Sequence, residues 1–291
     1  MKDAIEKAGT LIEALSYIQT FRSRVVVIKL GGAAMEGAEL SALLTDVVFM
    51  EAVGMRPVLV HGGGPAISKA MKEKGLEPVF VKGRRVTDPA TLEIVKDVLI
   101  GVINRDIVER IRALGGRAQG IHPDSNSSIF AKQLKMKDDK GESYDLGLVG
   151  EVTRVRTDFI RDFCEARVVP VVAPLGIDDR GQAYNINGDS VASEIASSLS
   201  AEKIVYLSDT HGIYTDPNDD SSMASHLSEA QITDLVTRGI ITKGMLPNVE
   251  GCLAAIKSGV RKAHIIDGRI EHSLLLEIFT SRGIGTEIVL K

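Results

Sequence analysis

Apolar residues along the chain follow two alternating periods, which predict strands and helices in turn. Two β-branched runs of strand length, Val25–Leu30 and Val58–Val60, are each followed by a stretch with helical spacing. The helical positions after the first run are Leu40, Leu43, Leu44, Val47 and Val48. Because strand and helix signals alternate almost throughout, the sequence predicts an α/β protein with a doubly wound sheet.

The limits of the other predicted elements follow from glycines, prolines and capping residues. Pro65 and Gly75 delimit one helix, and Asp88 opens a longer helix that runs to about Leu114. Further helices are predicted at Thr157–Ala166, Asp189–Leu199, after the Ser228/Gln231 capping pair and near Leu274–Thr280, with strands at Val168–Ala173, Ile204–Leu207, Ala263–Ile266 and Ile288–Leu290. The pattern weakens over 116–155, where Lys135–Tyr144 is interpreted as a hairpin or flap.

The two leading strands both end in glycine turns. The first ends in Lys29-Leu30-Gly31-Gly32 and the second is followed by Gly62-Gly63-Gly64. Parallel strands bring such turns to the carboxyl edge of a sheet, where open α/β sheets bind ligands, and glycines let backbone N–H groups approach anionic oxygens. Since Lys29 is the last polar side chain before its glycines, the arrangement suggests phosphoryl transfer.

Two later polar motifs add groups suited to an acidic substrate. Arg85, within GRRVTD, can bind a carboxylate through two parallel hydrogen bonds. Within YNINGD, Asn185 is a candidate donor to the substrate, and Asp189 is a candidate for orienting Lys29. Phosphoryl transfer needs such groups because it depends on positioning and on neutralising charge.

Each of these signals also has a structural alternative. Gly-Gly turns serve tight packing, the Arg84-Arg85 pair suits a solvated surface, and Asp189 suits a helix cap. His61 is interpreted as structural, and no metal site is predicted, because no second ligand stands at metal-binding spacing. A dinucleotide site is disfavoured because neither strand is followed by Gly-x-Gly-x-x-Gly, and the P-loop pattern is absent too.

Size and composition narrow the remaining classes. The 291 residues allow one large α/β unit or two lobes, and the net charge of −4 disfavours a nucleic-acid partner. No apolar run approaches the roughly 20 residues of a membrane-spanning helix, and the N-terminal charges are mixed. A cytoplasmic protein without a membrane partner is therefore expected. Cys164 and Cys252 lack local pairing and are expected to be ordinary thiols.

From about residue 5 to the C-terminus, the chain resembles the acetylglutamate kinases of the amino acid kinase family. The shared motifs, in order, are IKLGG, VHGGGP, GRRVTD, LGLVGEV, VAPLG, YNINGD, LSDTHGIY, ITKGMLPNVE and HIIDGR. The resemblance implies a three-layer α/β/α sandwich around a mostly parallel sheet. It implies an acetylglutamate-binding and dimerisation lobe at 23–187 and an ATP-binding lobe at 188–291.

The same resemblance implies a reaction and the residues that carry it. The γ-phosphoryl group of ATP, bound with Mg²⁺ and without a tightly bound cofactor, would pass to the side-chain carboxylate of N-acetyl-L-glutamate in arginine biosynthesis. The implied catalytic residues are Lys29, Asp189 and Lys243. The implied substrate contacts are Gly31, Gly32, Gly63, Gly64, Arg85 and Asn185, and the implied nucleotide contacts are Ser208, Asp209, Gly212, Tyr214, Gly244 and Met245.

One departure from the family pattern concerns the phosphate-binding cation. Asn248 stands where the family usually has a lysine that assists the ATP phosphates. A neutral amide does not replace the electrostatic attraction of that cation. Lys243, five residues earlier, is the hypothetical substitute.

An amphipathic helix is predicted at the N-terminus, outside the α/β alternation. Its apolar positions within Asp3–Arg22 are Ile5, Ala8, Leu11, Ile12, Leu15 and Ile18. One interpretation is that it packs on its own lobe. The other is a resemblance to arginine-inhibited acetylglutamate kinases, in which an extra N-terminal helix links dimers into a hexamer. That helix would correspond to residues 1–22 here. That resemblance implies an arginine site at Tyr17, His264, Glu277, Gly283 and Gly285.

Two other functions stay open at this stage. One is a related kinase that acts on another amino acid carboxylate, such as an aminoadipate derivative. The other is a catalytically weak arginine-sensing module, which Asn248 favours and the set Lys29, Arg85 and Asp189 disfavours.

Overall fold

Strands rich in valine and isoleucine build the centre of the protein. The computed structural model describes residues 1–31, 37–137, 143–241, 244–280 and 283–290. Their strands are β1 (Val25–Leu30), β2 (Arg56–His61), β3 (Phe80–Val81), β4 (Arg84–Arg85), β5 (Ala118–Ile121), β6 (Ile129–Gln133), β7 (Met136–Lys137), β8 (Ser143–Tyr144), β9 (Gly150–Val155), β10 (Val169–Val172), β11 (Leu175–Ile177), β12 (Ala183–Asn185), β13 (Lys203–Ser208), β14 (Ile213–Tyr214), β15 (Met223–Ala224), β16 (His226–Ser228), β17 (Lys262–Asp267) and β18 (Thr286–Val289).

Helices connect most of these strands. They are α1 (Lys2–Phe21), α2 (Gly37–Ala52), α3 (Gly64–Glu73), α4 (Pro89–Lys96), α5 (Arg105–Ala113), α6 (Thr157–Glu165), α7 (Gly188–Ser198), α8 (Glu229–Thr237), α9 (Leu246–Lys257) and α10 (Ser273–Ile278). In the part of the chain that the structure describes, none of them has the length and hydropathy to span a membrane.

The main sheet has eight strands in the order β16-β18-β17-β13-β1-β2-β10-β5. The strands from β17 to β5 pair in parallel, whereas β18 is antiparallel to β17 and parallel to β16. The predicted mostly parallel sheet is therefore confirmed. Because β1, β2 and β13 are parallel neighbours, their carboxyl ends meet at one edge.

Helices cover both faces of this sheet. Val27 and Ile204 point to one face and pack with residues of α6, α7, α8 and α9. Val26 and Ile28 point to the opposite face and pack with α2, α5 and α10. Alternate strand residues thus enter different cores, as the period of two requires, and the predicted three-layer architecture is confirmed.

The long helix predicted from Asp88 is present but is not uniform. Asp88 caps α4 by accepting a hydrogen bond from the Thr91 N–H at 2.7 Å. Residues Asp97–Asn104 form a π-helical segment that joins α4 to α5. Such wider turns are uncommon and often occur near functional sites. This one ends at Asn104, whose side chain is buried.

The weakly patterned region 116–155 contributes to a second, smaller sheet. Its four strands have the order β12-β11-β6-β9, with one parallel and two antiparallel pairs. Strands β7 and β8 pair antiparallel, so the predicted hairpin is present at its two ends. Residues 138–142 between them lie outside the described ranges.

The N-terminal helix α1 matches the predicted Asp3–Arg22 closely. Its C-terminal end contacts the rest of the chain through Tyr17, whose ring centroid lies 6.2 Å from that of Phe279. Leu11 and Ile12, in contrast, are 68% and 70% exposed. The interpretation that α1 buries its apolar face on its own lobe is therefore wrong for this part of the helix. The domain divisions at 22/23 and 187/188 stay predictions.

Candidate active site

An ion pair at the carboxyl end of β1 forms the centre of the candidate site. Lys29 Nζ lies 2.8 Å from Asp189 Oδ1, and the two side chains are only 12% and 13% exposed. Asp189 belongs to the first turn of α7. The residue that caps this helix is Asn187, whose Oδ1 accepts a hydrogen bond from the Ser190 N–H at 3.0 Å. The alternative that Asp189 is the helix cap is therefore wrong.

The glycines beside this pair have different reasons for lacking a side chain. A Cβ atom on Gly31 would lie 2.5 Å from Lys29 Nζ, and one on Gly63 would lie 2.5 Å from Leu99 Cδ2. Both distances are too short for real atoms. Gly64 has no heavy atom within 4 Å of such a Cβ. Tight packing thus accounts for Gly63 but does not account for Gly64. Gly32 lies outside the described residues.

The pair and the second glycine turn open into a cavity of about 220 Å³. The predicted residues that line it are Lys29, Gly63, Gly64, Arg85, Asn185 and Asp189. Pockets for drug-sized ligands have roughly 300–1,000 Å³, so this volume suits a small ligand. Four of the six predicted substrate contacts thus share one small cavity with Lys29 and Asp189, whereas Gly31 lines a neighbouring cavity.

Arg85 is a buried cation in this cavity, with 7% exposure. Its Nη2 donates to Gly64 O at 3.0 Å and to Ser68 Oγ at 2.8 Å, and its guanidinium stacks on Phe80. Burial lowers the pKa of Arg85, but an arginine stays charged in proteins. The interpretation of Arg85 as part of a solvated pair is therefore wrong.

The partners of Arg85 leave its positive charge uncompensated. Among the described residues no carboxylate forms an ion pair with it, and Gly64 O and Ser68 Oγ are neutral. A buried charge is costly unless an opposite charge accompanies it. The cavity consequently favours an anionic ligand beside Arg85.

Asn185, at the end of β12, lines the same cavity. Its Nδ2 donates to Thr87 Oγ1 at 3.2 Å, and its backbone N–H donates to Leu148 O at 2.9 Å. These bonds hold the side chain at the cavity wall, where its amide is available to a ligand.

A buried histidine and asparagine support the second glycine turn. His61 Nδ1 donates to Gly62 O at 2.8 Å, and its Nε2 accepts from Asn104 Nδ2 at 3.1 Å. Asn104 Nδ2 also donates to Val171 O at 2.9 Å. Sequence reasoning interpreted His61 as structural but missed Asn104. Its signal was a polar residue directly after the apolar run 98–103.

The predicted nucleotide side lies next to β1 along the same edge. Ser208 ends β13, which pairs with β1, and a Cβ on Gly31 would lie 3.5 Å from Leu207 O. Asp209 and Gly212 follow in the same loop, and Tyr214 belongs to β14, which pairs with β15. Gly244 and Met245 immediately precede α9. Lys243 lies outside the described residues.

The five predicted arginine-site residues line a separate cavity of about 580 Å³. They are Tyr17, His264, Glu277, Gly283 and Gly285. Glu277 Oε1 lies 2.6 Å from His264 Nδ1 and 3.1 Å from Lys203 Nζ. Burial opposes ionisation, but the hydrogen bond from His264 and the attraction of His264 and Lys203 together lower the pKa of Glu277 to about 2. The carboxylate is therefore ionised near neutral pH.

Among the described residues, no group of three or more His, Cys, Asp or Glu side chains is arranged to hold a metal ion.

The chain belongs to the amino acid kinase family, whose model matches residues 24–267. Among individual relatives, the acetylglutamate kinase of Symbiobacterium thermophilum is 46% identical over 290 residues, covering 99% of each chain. Two structures of N-acetylglutamate synthase from Neisseria gonorrhoeae also resemble it. The complex with coenzyme A and N-acetyl-glutamate has a TM-score of 0.85 and 26% identity over 98% of this chain. The complex with coenzyme A and L-arginine has a TM-score of 0.83 and 25% identity over 98% of this chain. This chain spans 63% and 65% of those two longer chains.

The buried histidine predicts a pH-dependent stability. Burial lowers the pKa of His61 to about 4, whereas a histidine in the unfolded chain titrates near 6.5. Between these values the unfolded state binds a proton that the folded state does not, so the free energy of unfolding falls as the pH falls. The loss is up to about 1.4 kcal/mol per pH unit.

We expect His61→Gln to remove this part of the pH dependence, measured by urea unfolding at several pH values. His211→Gln is the control for loss of a histidine outside the core, since His211 is exposed, although its Nδ1 lies 3.0 Å from Asp267 Oδ2. Equal pH slopes for the wild type and His61→Gln, between about pH 6.5 and about pH 4, would contradict the assignment.

Proposed function

We propose that this chain transfers the γ-phosphoryl group of ATP to the side-chain carboxylate of N-acetyl-L-glutamate, an early reaction of arginine biosynthesis. One observation carries the proposal: a buried Arg85 without a carboxylate partner among the described residues shares a small cavity with the Lys29–Asp189 pair. A ligand with two carboxylates suits this cavity, because one can bind Arg85 while the other lies near Lys29. The name of the Symbiobacterium relative supports the same reaction.

In this proposal the acceptor carboxylate attacks the γ-phosphorus. A new O–P bond forms, the bond between the γ-phosphorus and its bridging oxygen breaks, and ADP leaves. No base is needed, because a substrate carboxylate is already ionised near pH 7. Asp189 therefore orients Lys29, and Lys29 stabilises the charge on the transferring group. The backbone N–H groups of the glycine turns are the proposed additional donors.

ATP enters as its Mg²⁺ complex, and the metal is part of this substrate. Mg²⁺ in such sites is held mainly by the phosphates and water, with few protein ligands. The proposed nucleotide contacts are Ser208, Asp209, Gly212, Tyr214, Gly244 and Met245. Lys243 is the proposed substitute for the cation that Asn248 lacks.

The reaction is tested by incubating the purified chain with MgATP and N-acetyl-L-glutamate and trapping the acyl phosphate with hydroxylamine. We expect ADP formation that depends on this acceptor and yields the hydroxamate. N-acetylated aminoadipate and aspartate serve as acceptors of different length. Faster turnover on one of them would favour the related-kinase alternative. Absence of turnover on all three, with arginine still bound, would favour the sensing module.

Arg85→Lys tests the role of the buried guanidinium. Lysine keeps the charge but loses the paired donors, and a hydrogen bond to a charged group contributes roughly 1.5–3 kcal/mol. We therefore expect the KM for acetylglutamate to rise about tenfold or more with the KM for ATP little changed.

Arg238→Lys is the matched control, since Arg238 is the exposed C-cap residue that follows α8. A rise in the KM for ATP alone would contradict this role, because it would show that Arg85 binds ATP and not acetylglutamate.

We further propose that the second cavity binds arginine and inhibits the enzyme. Two carboxylates, Glu277 and Glu287, and the ammonium groups of Lys203 and Lys262 line it. The guanidinium of arginine can pair with the two carboxylates, and its α-carboxylate can pair with the two ammonium groups. The related synthase complex that contains L-arginine supports this proposal.

The exposed apolar face of α1 is relevant to the oligomeric state of the protein. Tyr17 of this helix lines the proposed arginine cavity, while Leu11 and Ile12 are left exposed. We propose that this face packs on a second copy and links dimers into a hexamer. Arginine binding and assembly would then share one helix.

Glu277→Gln is expected to raise the arginine concentration for half-inhibition about tenfold or more, because a neutral amide loses the charge-assisted pair. Turnover at increasing arginine is the measurement. Glu271→Gln, at an exposed position near α10, is the control. A monodisperse dimer that is insensitive to millimolar arginine would contradict both the regulatory site and the hexamer.

A further inference from the structure

A tight hairpin fixes two consecutive arginines beside the site. Strands β3 and β4 pair antiparallel, with Val81 opposite Arg84. The two turn residues between them, Lys82 and Gly83, have φ values of 47° and 76°. Two positive φ values are typical of the type I′ turn, which suits the twist of a two-residue hairpin. Successive strand side chains point to opposite faces, so Arg84 and Arg85 have different surroundings.

Arg84 lies where two cavities meet. Like Arg85, it lines the acceptor cavity of about 220 Å³. It also lines a neighbouring cleft of about 290 Å³, whose other walls include Asp189, Ser190 and Pro247. Pro247 follows the proposed nucleotide contact Met245 by two residues. Arg84 therefore lies between the acceptor cavity and the start of α9, which directly follows the proposed nucleotide contact Met245.

The cleft also contains the carboxylates of Glu194 and Glu250 and the ammonium group of Lys82, but within the described ranges none of these carboxylates forms an ion pair with Arg84. Asp189 already pairs with Lys29 at 2.8 Å, so this pair adds no net charge. Arg84 is half-buried, and within the described ranges its side chain has neither a hydrogen bond nor an ion pair. Asn248, in the first turn of α9, is neutral. Phosphoryl transfer requires positive charge where negative charge develops.

We propose that Arg84 is a further catalytic residue, whose guanidinium donates hydrogen bonds to the γ-phosphoryl oxygens of ATP. This inference rests on the proposed function. Arg84 moves no proton: it stabilises charge while the acceptor forms its O–P bond and ADP leaves. A planar guanidinium suits this role because its donors match phosphate oxygens in pairs.

Arg84→Leu and Arg84→Lys test the proposal in the full chain. We expect Arg84→Leu to lower kcat about 100-fold or more, the loss for one donor to a developing charge. The KM for acetylglutamate should stay within about twofold. Arg84→Lys, which keeps the charge and is less disruptive to the hairpin, should retain part of the rate. Arg238→Leu is the control for loss of a surface arginine.

Calorimetric titrations with two nucleotides test whether Arg84 contacts the γ-phosphate. We expect Arg84→Leu to weaken the Mg²⁺ complex of AMP-PNP about tenfold, the effect of one charge-assisted hydrogen bond. The affinity for ADP, which lacks the γ-phosphate, should be unchanged.

Three outcomes would overturn the inference: an unchanged kcat, equal losses of AMP-PNP and ADP affinity, or a γ-specific loss in Lys243→Ala but not in Arg84→Leu. Failure of the proposed function is distinguishable, because it shows as absence of acetylglutamate-dependent turnover in the wild type. The comparison of AMP-PNP with ADP tests Arg84 in that case too.

Discussion

The ion pair between Lys29 and Asp189 is the interaction on which the rest of the site depends. It joins the end of a central strand to the first turn of a helix, at 2.8 Å and with little solvent. Because the carboxylate holds the ammonium group in place, Lys29 is positioned before a substrate arrives. The same carboxylate cancels the charge of Lys29 in the resting state. Other cations must therefore supply the net positive charge that two anionic substrates need.

The two cavities differ in whether the protein itself neutralises the buried charge that they contain. Beside Arg85 the partners are neutral, so the charge is completed by a ligand. Around Glu277 the partners Lys203 and His264 already complete the charge, and a ligand must share or exchange those contacts. The first arrangement suits obligatory binding of a substrate. The second suits a ligand whose binding rearranges an existing network, as the proposed regulation by arginine requires.

The sequence predicted those parts of the fold that depend on short-range patterns. The strands β1 and β2, their glycine turns and the covering helices were recognisable because period and turn chemistry are local. The second sheet was not, since its strands are short and weakly alternating. The contacts of Asn104 were also missed, because no spacing rule indicates which strand a buried amide will meet. Asp189 was identified, but its distinction from the capping residue Asn187 needed the geometry. Burial of Arg85 and the different surroundings of Arg84 likewise required tertiary structure.

The side chain of Asn104 has a consequence for how the proposed acceptor site forms. Its amide contacts His61 and Val171, which are 43 and 67 positions away in sequence. The glycine turn after β2 is thus held only when the π-helical segment, β2 and β10 have all come together. Contacts of such long range form after the loops between them have closed. The proposed acceptor site therefore depends on contacts among three segments that are distant in sequence. A chain that has formed only its local elements contains the residues of this site but does not yet bring them together.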